Sequence, residues 1–253
     1  MLPEERRSQL LKRTQDRRFA SLPELTEWLD VSESTVRRDL DWLEEQGQVK
    51  RTHGGVQYIG DETDRSPRFA AWGGGFVPEK QAIATEAARR IEDGDAILLD
   101  GGSTTYEVAK RLQGRSLHLV TTSLPVANLF AADPKCDLVF VGGSVCPRSG
   151  VVRGPLTNDV LDGLHVRRAI LSTAGITSEG LFNNDPLLVE TERRMMKIAD
   201  EIVIVADASK FGRKSLTHVC SLNAVNRIVT DSRVGDDWHR EIREAGVELD
   251  IAR

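Results

Sequence analysis

The 253-residue sequence has few of the features that mark secreted, membrane-bound or disulfide-rich proteins. Its three cysteines, Cys136, Cys146 and Cys220, form no CxxC pair and are too few and too scattered for a disulfide framework. No apolar run approaches the roughly 18 residues that a membrane span needs. The amino-terminal residues are charged and lack the apolar core of a secretory signal. We therefore expect a cytoplasmic protein with no membrane partner.

An excess of basic residues is also missing. The sequence has 34 Lys+Arg against 39 Asp+Glu, a formal net charge of −5. Hydrophobic residues make up 40%, so the chain can bury a core, as one large domain or two smaller ones. With this balance, nucleic-acid binding has to depend on where the basic side chains are placed locally.

Several catalytic and metal-binding motifs are absent as well. The sequence contains no HExxH, no clustered His/Cys set and no GxSxG. Gly212–Ser215 lacks the Gly-Lys-Ser order of a Walker loop, and Gly73–Gly75 precede no clear strand-to-helix turn. We therefore predict no metal site, no catalytic residues and no cofactor.

Residues 1–56 have the pattern of a small helical domain. Apolar residues recur at helical spacing in Leu22–Leu29 and again in Val36–Leu43, and Ser21 stands before the first segment as a cap. Val49–Val56 then has the pattern of strand, turn and strand. Two helices joined by a short turn and followed by a basic hairpin predict a winged helix-turn-helix.

The rest of the chain has a different character. Residues 57–80 are rich in turn-forming residues and lack periodicity, which predicts a linker. Over residues 81–253, short apolar runs alternate with amphipathic segments, which predicts an α/β domain with helices on both faces of a parallel sheet. The predicted strands are Ala96–Leu99, Leu117–Val120, Leu138–Val141, Ala169–Leu171, Ile202–Val205, Arg227–Thr230 and Val247–Leu249. The predicted helices are Ala82–Ile91, Thr104–Leu112, Leu124–Ala131, Leu156–Leu164, Leu187–Ala199 and Trp238–Ala245.

The second helix of the amino-terminal pair is the expected recognition helix. If its apolar residues face the core, Arg37 and Arg38 project from the other side near the helix start, where a recognition helix meets base edges. An ordinary solvated surface is the alternative for these charges. The residues predicted to contact DNA are Ser32, Ser34, Thr35, Arg37, Arg38, Lys50, Arg51 and His53.

The segments Val31–Leu40 and Arg51–Val56, with Leu43 and Gly47 between them, resemble the amino-terminal signature of DeoR-family bacterial transcription regulators. Later motifs are also similar to that family; they are Glu79-Lys80, Ile83-Ala84, Gly94-Asp95, Asp100–Thr105, Thr121–Ser123, Gly142-Gly143, Ala174–Ile176 and Asp207–Phe211. The resemblance implies a repressor, less often an activator, of a sugar-metabolism operon, with a phosphorylated sugar or sugar derivative as effector. It also implies a Rossmann-like sensor domain related to ribose-5-phosphate isomerase and glucosamine-phosphate deaminase.

The residues themselves also indicate an anion site. Asp100–Thr105 connects a predicted strand to a helix start, where glycines, free amide groups and hydroxyls suit a phosphate. Thr121–Ser123 and Gly142-Gly143 follow the next two strands, so their loops can converge on one pocket. The alternative is that these residues only turn the chain and cap helices.

Asp207 and Lys210 follow a later strand and suit sugar hydroxyls and phosphate, with a surface salt bridge as the alternative. The family resemblance places Glu192 near the effector cleft, although a charge on an amphipathic helix is usually solvated. Asp185 is expected to cap that helix. The predicted effector-binding residues are Asp100, Gly101, Gly102, Ser103, Thr104, Thr105, Thr121, Thr122, Ser123, Gly142, Gly143, Glu192, Asp207 and Lys210.

Two functions remain open at this point. The first is an effector-controlled regulator that binds double-stranded operator DNA as a homodimer or homotetramer. The second is a sugar-phosphate isomerase or deaminase with an accessory DNA-binding domain, in which Asp207 and Lys210 would handle protons. The sequence departs from the family pattern at Trp72 and at Gly73–Gly75, in the segment that joins the two domains.

Overall fold

A computed structural model describes residues 3–17, 19–45, 49–52, 55–58 and 76–252. The chain divides into two compact units, Met1–Ser66 and Pro67–Arg253. Most of the predicted linker, with Trp72 and the three glycines after it, lies outside the described residues. At the two ends of that prediction, residues 57–58 belong to a strand and residues 77–80 to a helix. The helix begins early because Pro78 is tolerated in a first helical turn.

The amino-terminal unit is a winged helix-turn-helix, as predicted. Its elements are α1 (Pro3–Arg17), β1 (Phe19–Ser21), α2 (Leu22–Leu29), α3 (Glu33–Glu45), β2 (Val49–Thr52) and β3 (Gly55–Tyr58). The three strands form an antiparallel sheet in the order β1-β3-β2. The sequence pattern did not reveal β1, because three residues are too few to show an alternation.

Local sequence signals explain the helix boundaries in this unit. The Ser21 hydroxyl and the Glu24 carboxylate form a capping box at the start of α2, which confirms the predicted cap. Asp30 adopts a left-handed conformation (φ 51°) and ends that helix. Val36, Leu40 and Leu43 of α3 are almost fully buried, as the helical spacing predicts. The predicted cap at Gly47 lies outside the described residues.

The carboxy-terminal unit alternates strands and helices. Its helices are α4 (Val77–Ala88), α5 (Ser103–Leu112), α6 (Leu124–Phe130), α7 (Pro155–Leu161), α8 (Pro186–Lys197) and α9 (Asp236–Glu244). Its strands are β4 (Ala96–Leu99), β5 (Leu117–Thr121), β6 (Cys136–Phe140), β7 (Ser144–Val145), β8 (Val152–Arg153), β9 (Val166–Leu171), β10 (Gly175–Thr177), β11 (Gly180–Asn183), β12 (Ala199–Val205), β13 (Thr217–Cys220), β14 (Arg227–Asp231) and β15 (Glu248–Ala252).

A seven-stranded parallel sheet forms the centre of this unit, in the order β15-β14-β12-β9-β4-β5-β6. One apolar core packs α4, α5 and α6 against one face, and a second packs α7, α8 and α9 against the other. This is the predicted three-layer α/β fold. Because all seven strands are parallel, their carboxyl ends meet at one edge, where the predicted effector loops lie.

Two small antiparallel additions were not predicted. Strands β10, β11 and β13 form a three-stranded sheet, and β7 and β8 form a hairpin. Their strands have two to four residues and glycine-rich turns, so they give no periodic signal. Both additions border the carboxyl edge of the main sheet.

The helices in the described part of the chain are all too short or too polar to span a membrane.

Candidate DNA-binding surface and effector site

The amino-terminal half of α3 presents the side chains that sequence analysis assigned to DNA. Ser34, Arg37 and Arg38 are exposed and Thr35 is half-buried, while Val36 packs into the core. The side of the helix that faces solvent is therefore the predicted one. Exposed arginines at the start of a recognition helix can form bidentate hydrogen bonds with guanine.

The two arginines differ in their surroundings. The Arg37 guanidinium donates to Oε1 of Glu33 through Nε (2.9 Å) and Nη2 (2.5 Å), one helical turn away. Both side chains of this pair are more than half exposed, so the pair contributes little to stability. Arg38 makes no hydrogen bond or ion pair with the other residues that the structure describes.

Three hydroxyl groups gather at the start of α3. The Ser32 hydroxyl hydrogen-bonds with the hydroxyls of Ser34 (2.9 Å) and Thr35 (2.8 Å) and accepts from the Thr35 amide (3.3 Å). Ser32 therefore caps the recognition helix. Its predicted contact with DNA is compatible with this position, since phosphate oxygens often accept from groups at a helix start.

Asp39 has a structural role that sequence analysis did not assign. Its carboxylate is 1% exposed and accepts from Nε of Arg6 and from Nε of Arg7 (3.0 Å). The Arg7 guanidinium also stacks on Trp42, 4.5 Å from the ring centre. These contacts join α1 to α3 and hold the recognition helix in place. Asp39, which follows the two exposed arginines in the sequence, is thus a buried ion-pair partner of α1.

The wing is described only in part. Lys50 and Arg51 lie in β2, opposite Gln57 and Val56 of β3. Their side chains and the whole of His53 lie outside the described residues, so their predicted contacts with DNA remain predictions.

The anion loop in the second unit connects β4 to α5. Helix α5 begins after Gly102, and no side chain caps it, so its first amide groups remain available to a ligand. The loop fits closely beneath its neighbours: a Cβ on Gly101 would lie 2.2 Å from Val151, and one on Gly102 would lie 2.1 Å from Ser172. Glycine is therefore required here for close approach.

Lys80 is a candidate functional residue that sequence reasoning missed as a site. It lies in the first turn of α4 and is 7% exposed. The pKa of Lys80 is lowered, mainly by burial and further by the charge of nearby Lys210. The charges of nearby Asp207 and of Glu107 on α5 oppose this shift. Lys80 therefore lies near the second turn of α5, which holds Glu107, and near the Asp207–Lys210 segment. A signal was present, because Glu79-Lys80 belongs to the family motif.

The Asp207–Lys210 segment follows β12. Asp207 is 1% exposed and its carboxylate accepts from the amide and the hydroxyl of Ser209. This excludes the alternative of a surface salt bridge for Asp207. Lys80 thus lies close enough to Lys210 for the two ammonium groups to repel each other, and a bound anion would relieve that repulsion.

The three hydroxyl residues predicted in the loop after β5 differ in their hydrogen bonds. Thr121 donates to the carbonyl of Leu99 (2.7 Å), and Ser123 caps α6 by accepting from Val126 (3.4 Å). The Thr122 hydroxyl is buried and has no hydrogen-bond partner among the described residues. Of the three predicted residues, Thr122 is the one whose hydroxyl makes no hydrogen bond with the described residues.

Gly142 and Gly143 lead from β6 into the β7–β8 hairpin. The Gly142 carbonyl accepts from the Thr157 hydroxyl (3.0 Å). Gly143 has φ 146°, and a Cβ there would lie 2.1 Å from Thr157. These glycines shape the turn, and their predicted effector contact remains a prediction.

Asp100 and Glu192 are buried carboxyl groups that interact electrostatically. Burial raises the pKa of Asp100 to about 7, against donation from the amides of Gly101 and Ser172. Burial also raises the pKa of Glu192, and the nearby charge of Asp100 raises it further. Glu192 is 1% exposed, so the alternative of a solvated helix charge is excluded. Asp185 caps α8 through the amides of Leu187 and Leu188, as predicted.

The described residues contain no group of three or more His, Cys, Asp or Glu side chains that could hold a metal ion. The polar groups near the carboxyl edge of the sheet suit the binding of a ligand; they are the uncapped start of α5, Lys80, Lys210 and the buried carboxyl groups of Asp100 and Glu192.

Comparison with known proteins identifies both domains. Residues 6–62 match the DeoR-like helix-turn-helix domain, and residues 76–232 match the DeoR C-terminal sensor domain. The regulator GolR of Listeria innocua is 30% identical over 257 residues, covering 100% of both chains. The glycerol-3-phosphate regulon repressor of Escherichia coli is 31% identical over 232 residues, covering 90% of each.

Among solved structures, ribose-5-phosphate isomerase A from Methanocaldococcus jannaschii matches 52% of this chain and 53% of its own, with 21% identity and a TM-score of 0.37. This weak likeness carries no functional conclusion. The relatives that match along both domains are transcription regulators, which decides against the enzyme alternative. The chain belongs to the DeoR family of DNA-binding transcription regulators.

Proposed function

We propose that this protein is a repressor of a sugar-metabolism operon, and that a phosphorylated sugar or sugar derivative changes its affinity for operator DNA. The observation that carries the proposal is the uncapped start of α5 together with Lys80, whose electrostatic neighbours include Glu107 of that helix and Lys210. Amide groups at a helix start and two ammonium groups together favour a phosphate over a neutral ligand. The name of the glycerol-3-phosphate regulon repressor supports the same ligand class.

The repressor works as a homo-oligomer in this proposal, either a dimer or a tetramer. Two-fold related recognition helices would bind paired half-sites of a double-stranded operator, about one helical turn apart. The effector acts only if it binds the DNA-bound and DNA-free states with different affinities. The proposal therefore predicts reciprocal coupling: operator DNA changes effector affinity by the same factor.

A titration of operator binding tests the proposal. Operator fragments are selected from genomic DNA of the source organism by binding to the full-length wild-type chain. Gel shifts are then measured with sugar phosphates and with their unphosphorylated parents. We expect at least one phosphorylated compound to change operator affinity about 10-fold or more, and its parent to have no effect.

Two lysine variants locate that response. Lys80→Met and Lys210→Met each remove one ammonium group, and we expect them to keep operator binding and lose most of the effector response. Lys197→Met, which changes an exposed lysine in the last turn of α8, is the matched control. A full response in both site variants would contradict the phosphate site.

A further inference from the structure

Arg233, in the loop after β14, contacts three residues with a single guanidinium. Its Nε and Nη2 donate to the two carboxylate oxygens of Asp231, at 2.7 and 3.2 Å. Its Nη1 lies 3.0 Å from Oε1 of Glu79 in the first turn of α4. The guanidinium also lies over the ring of Phe76, 4.6 Å from its centre. A planar fork that is bound through all three nitrogens and one face has a fixed orientation, so Arg233 joins β14 firmly to the start of α4.

Asp231 connects Arg233 to the effector site. Its carboxylate is buried, and Oδ2 also accepts from the amide of Ala208 at 2.8 Å. Ala208 begins the short helical turn that contains Lys210. The pKa of Arg233 is raised, first by its hydrogen bond with Asp231 and also by the charge of Asp207. A shift of that turn when an anion binds therefore acts on Asp231, and through Asp231 on Arg233.

The first turn of α4 provides a second connection between the same two places. Lys80, which is buried in the effector site, donates its amide to the carbonyl of Phe76 (3.0 Å). Glu79, the residue before it, pairs with Arg233. Since a helical turn moves as a unit, a shift of Lys80 toward a bound anion also moves Glu79 and Phe76 relative to Arg233.

Phe76 has a backbone conformation that a residue of its type rarely adopts. It stands directly before α4 with φ 57° and ψ 33°, in the left-handed region, and no side chain caps the helix there. A bulky residue in this region is strained and stays there only where its surroundings hold it. Phe76 is 45% exposed, so burial in a core does not fix it. The contact with Arg233 and the hydrogen bond from Lys80 act on this residue instead.

We propose that Arg233 is a positioning residue that couples anion binding in the effector site to the backbone of Phe76, where the chain joining the two units enters α4. The inference rests on the proposed function, because anion binding is the event that Arg233 transmits. Two connections lead from the site to Arg233, one through the turn after β12 and one through the first turn of α4. Phe76 can take the strained left-handed conformation or an ordinary one, and Arg233 shifts the balance between them according to the occupancy of the site.

A variant without the Arg233 guanidinium tests the inference in the full-length chain. Binding of inorganic phosphate is measured by calorimetry, and operator affinity is measured by gel shift with and without the sugar phosphates of the operator titration. We expect Arg233→Met to bind inorganic phosphate within about 3-fold of the wild type. Its operator response should fall from about 10-fold or more to less than about 3-fold, because binding and coupling are separate free energies. A purely structural role would weaken phosphate binding together with the response.

Two variants of Phe76 test the other end of the contact. Phe76→Leu removes the aromatic ring that Arg233 covers and should lose the response, whereas Phe76→Tyr keeps the ring and should retain it. Arg240→Met removes an exposed arginine of α9 with a local ion pair and should respond like the wild type. If Arg233→Met does not fold, the two Phe76 variants still decide the question.

Three outcomes overturn the inference while the wild-type chain still responds, so that the proposed function stands. These are a wild-type response in Arg233→Met, a loss of inorganic phosphate binding in the same variant, and equal responses in Phe76→Leu and Phe76→Tyr. A wild-type chain whose operator affinity responds to no sugar phosphate overturns the proposed function and this inference together, because Arg233 then has no binding event to transmit.

Discussion

The recognition helix and the effector site place their functional side chains in opposite environments. Arg37 and Arg38 on α3 are exposed to solvent, whereas Asp100 and Glu192 at the sheet edge are almost completely buried. DNA comes to the protein as a large polyanion, so exposed cations suffice to meet it. A small effector has to be enclosed to be distinguished from its relatives, which requires polar groups in the interior.

The two environments have different consequences for stability. The exposed pair of Arg37 and Glu33 is screened by solvent, so changing it leaves the folded state almost unaffected. The buried carboxyls lack partners for two of their oxygens, and their charges oppose folding. The comparison therefore predicts that substitutions of the exposed arginines on α3 alter DNA binding alone, while substitutions at the sheet edge alter stability together with ligand binding.

The largest expected effect is at the exposed site. The double variant Arg37→Ala/Arg38→Ala should weaken specific operator binding by about 4 kcal/mol, roughly 1000-fold, because each arginine–guanine pair contributes about 1–3 kcal/mol. Its melting temperature should change little, since neither side chain is buried. Gel shift against selected operator fragments and thermal unfolding measure the two quantities.

Arg240→Ala provides the matched control, because Arg240 is an exposed arginine on α9 with a comparable local ion pair. It should bind operator like the wild type. Wild-type affinity in the double variant would remove α3 as the recognition helix. A large fall in its melting temperature would show that the arginines also support the fold, against the comparison.

The next effect concerns the buried site and its dependence on pH. The pKa of Asp100 is about 7 in the folded chain against 3.8 ordinarily, so between these values the folded state holds a proton that the unfolded state has lost. The contribution of Asp100 to stability therefore decreases as pH rises from about 4 to 7. From pH 5 to pH 8 the free energy of unfolding of Asp100→Asn should rise relative to wild type by about 3 kcal/mol.

Urea unfolding followed by circular dichroism at several pH values measures this difference. Glu190→Gln, an exposed acid on α8, should show no such trend. A difference between Asp100→Asn and wild type that is constant with pH would mean that Asp100 is ionised throughout and is stabilised by its surroundings. The buried carboxyl of Asp100 would then reduce the free energy of unfolding as little as the exposed charges of α3 do.

Sequence analysis located the exposed site better than the buried one, and the reason is physical. Arg37 and Arg38 lie one and two residues after Val36, so the helical period alone shows which side faces solvent. The parallel sheet and the anion loop at Asp100–Thr105 also follow from local signals, since strand, glycine turn and helix are contiguous. These features were predicted from neighbouring residues in the chain.

Features that depend on long-range packing could not be predicted in this way. Glu192 is far from Asp100 in sequence, and its position on the amphipathic helix α8 is equally typical of a solvated charge. Lys80 lies 130 residues before Lys210 and meets it only because the sheet brings α4 beside β12. Asn183, whose side chain donates to Glu192, sits on a strand too short to be recognised. Asp39, in contrast, has a position that periodicity shows as inward, but the partners Arg6 and Arg7 come from a separate helix.

The smallest expected effect tests whether the exposed site is prearranged in the manner of the buried one. Glu33→Gln removes the partner of Arg37, and an exposed pair at this helical spacing contributes only about 0.3–0.5 kcal/mol. It also removes a negative charge that would face the DNA phosphates. We therefore expect operator affinity to rise about 2-fold, most clearly at low salt, with Glu27→Gln on α2 as the control for a general charge effect. Fluorescence anisotropy with a labelled operator resolves a change of this size.

A fall in operator affinity of about 5-fold would show instead that Glu33 orients Arg37 for its base. The recognition helix would then depend on a fixed side-chain arrangement just as the effector site does.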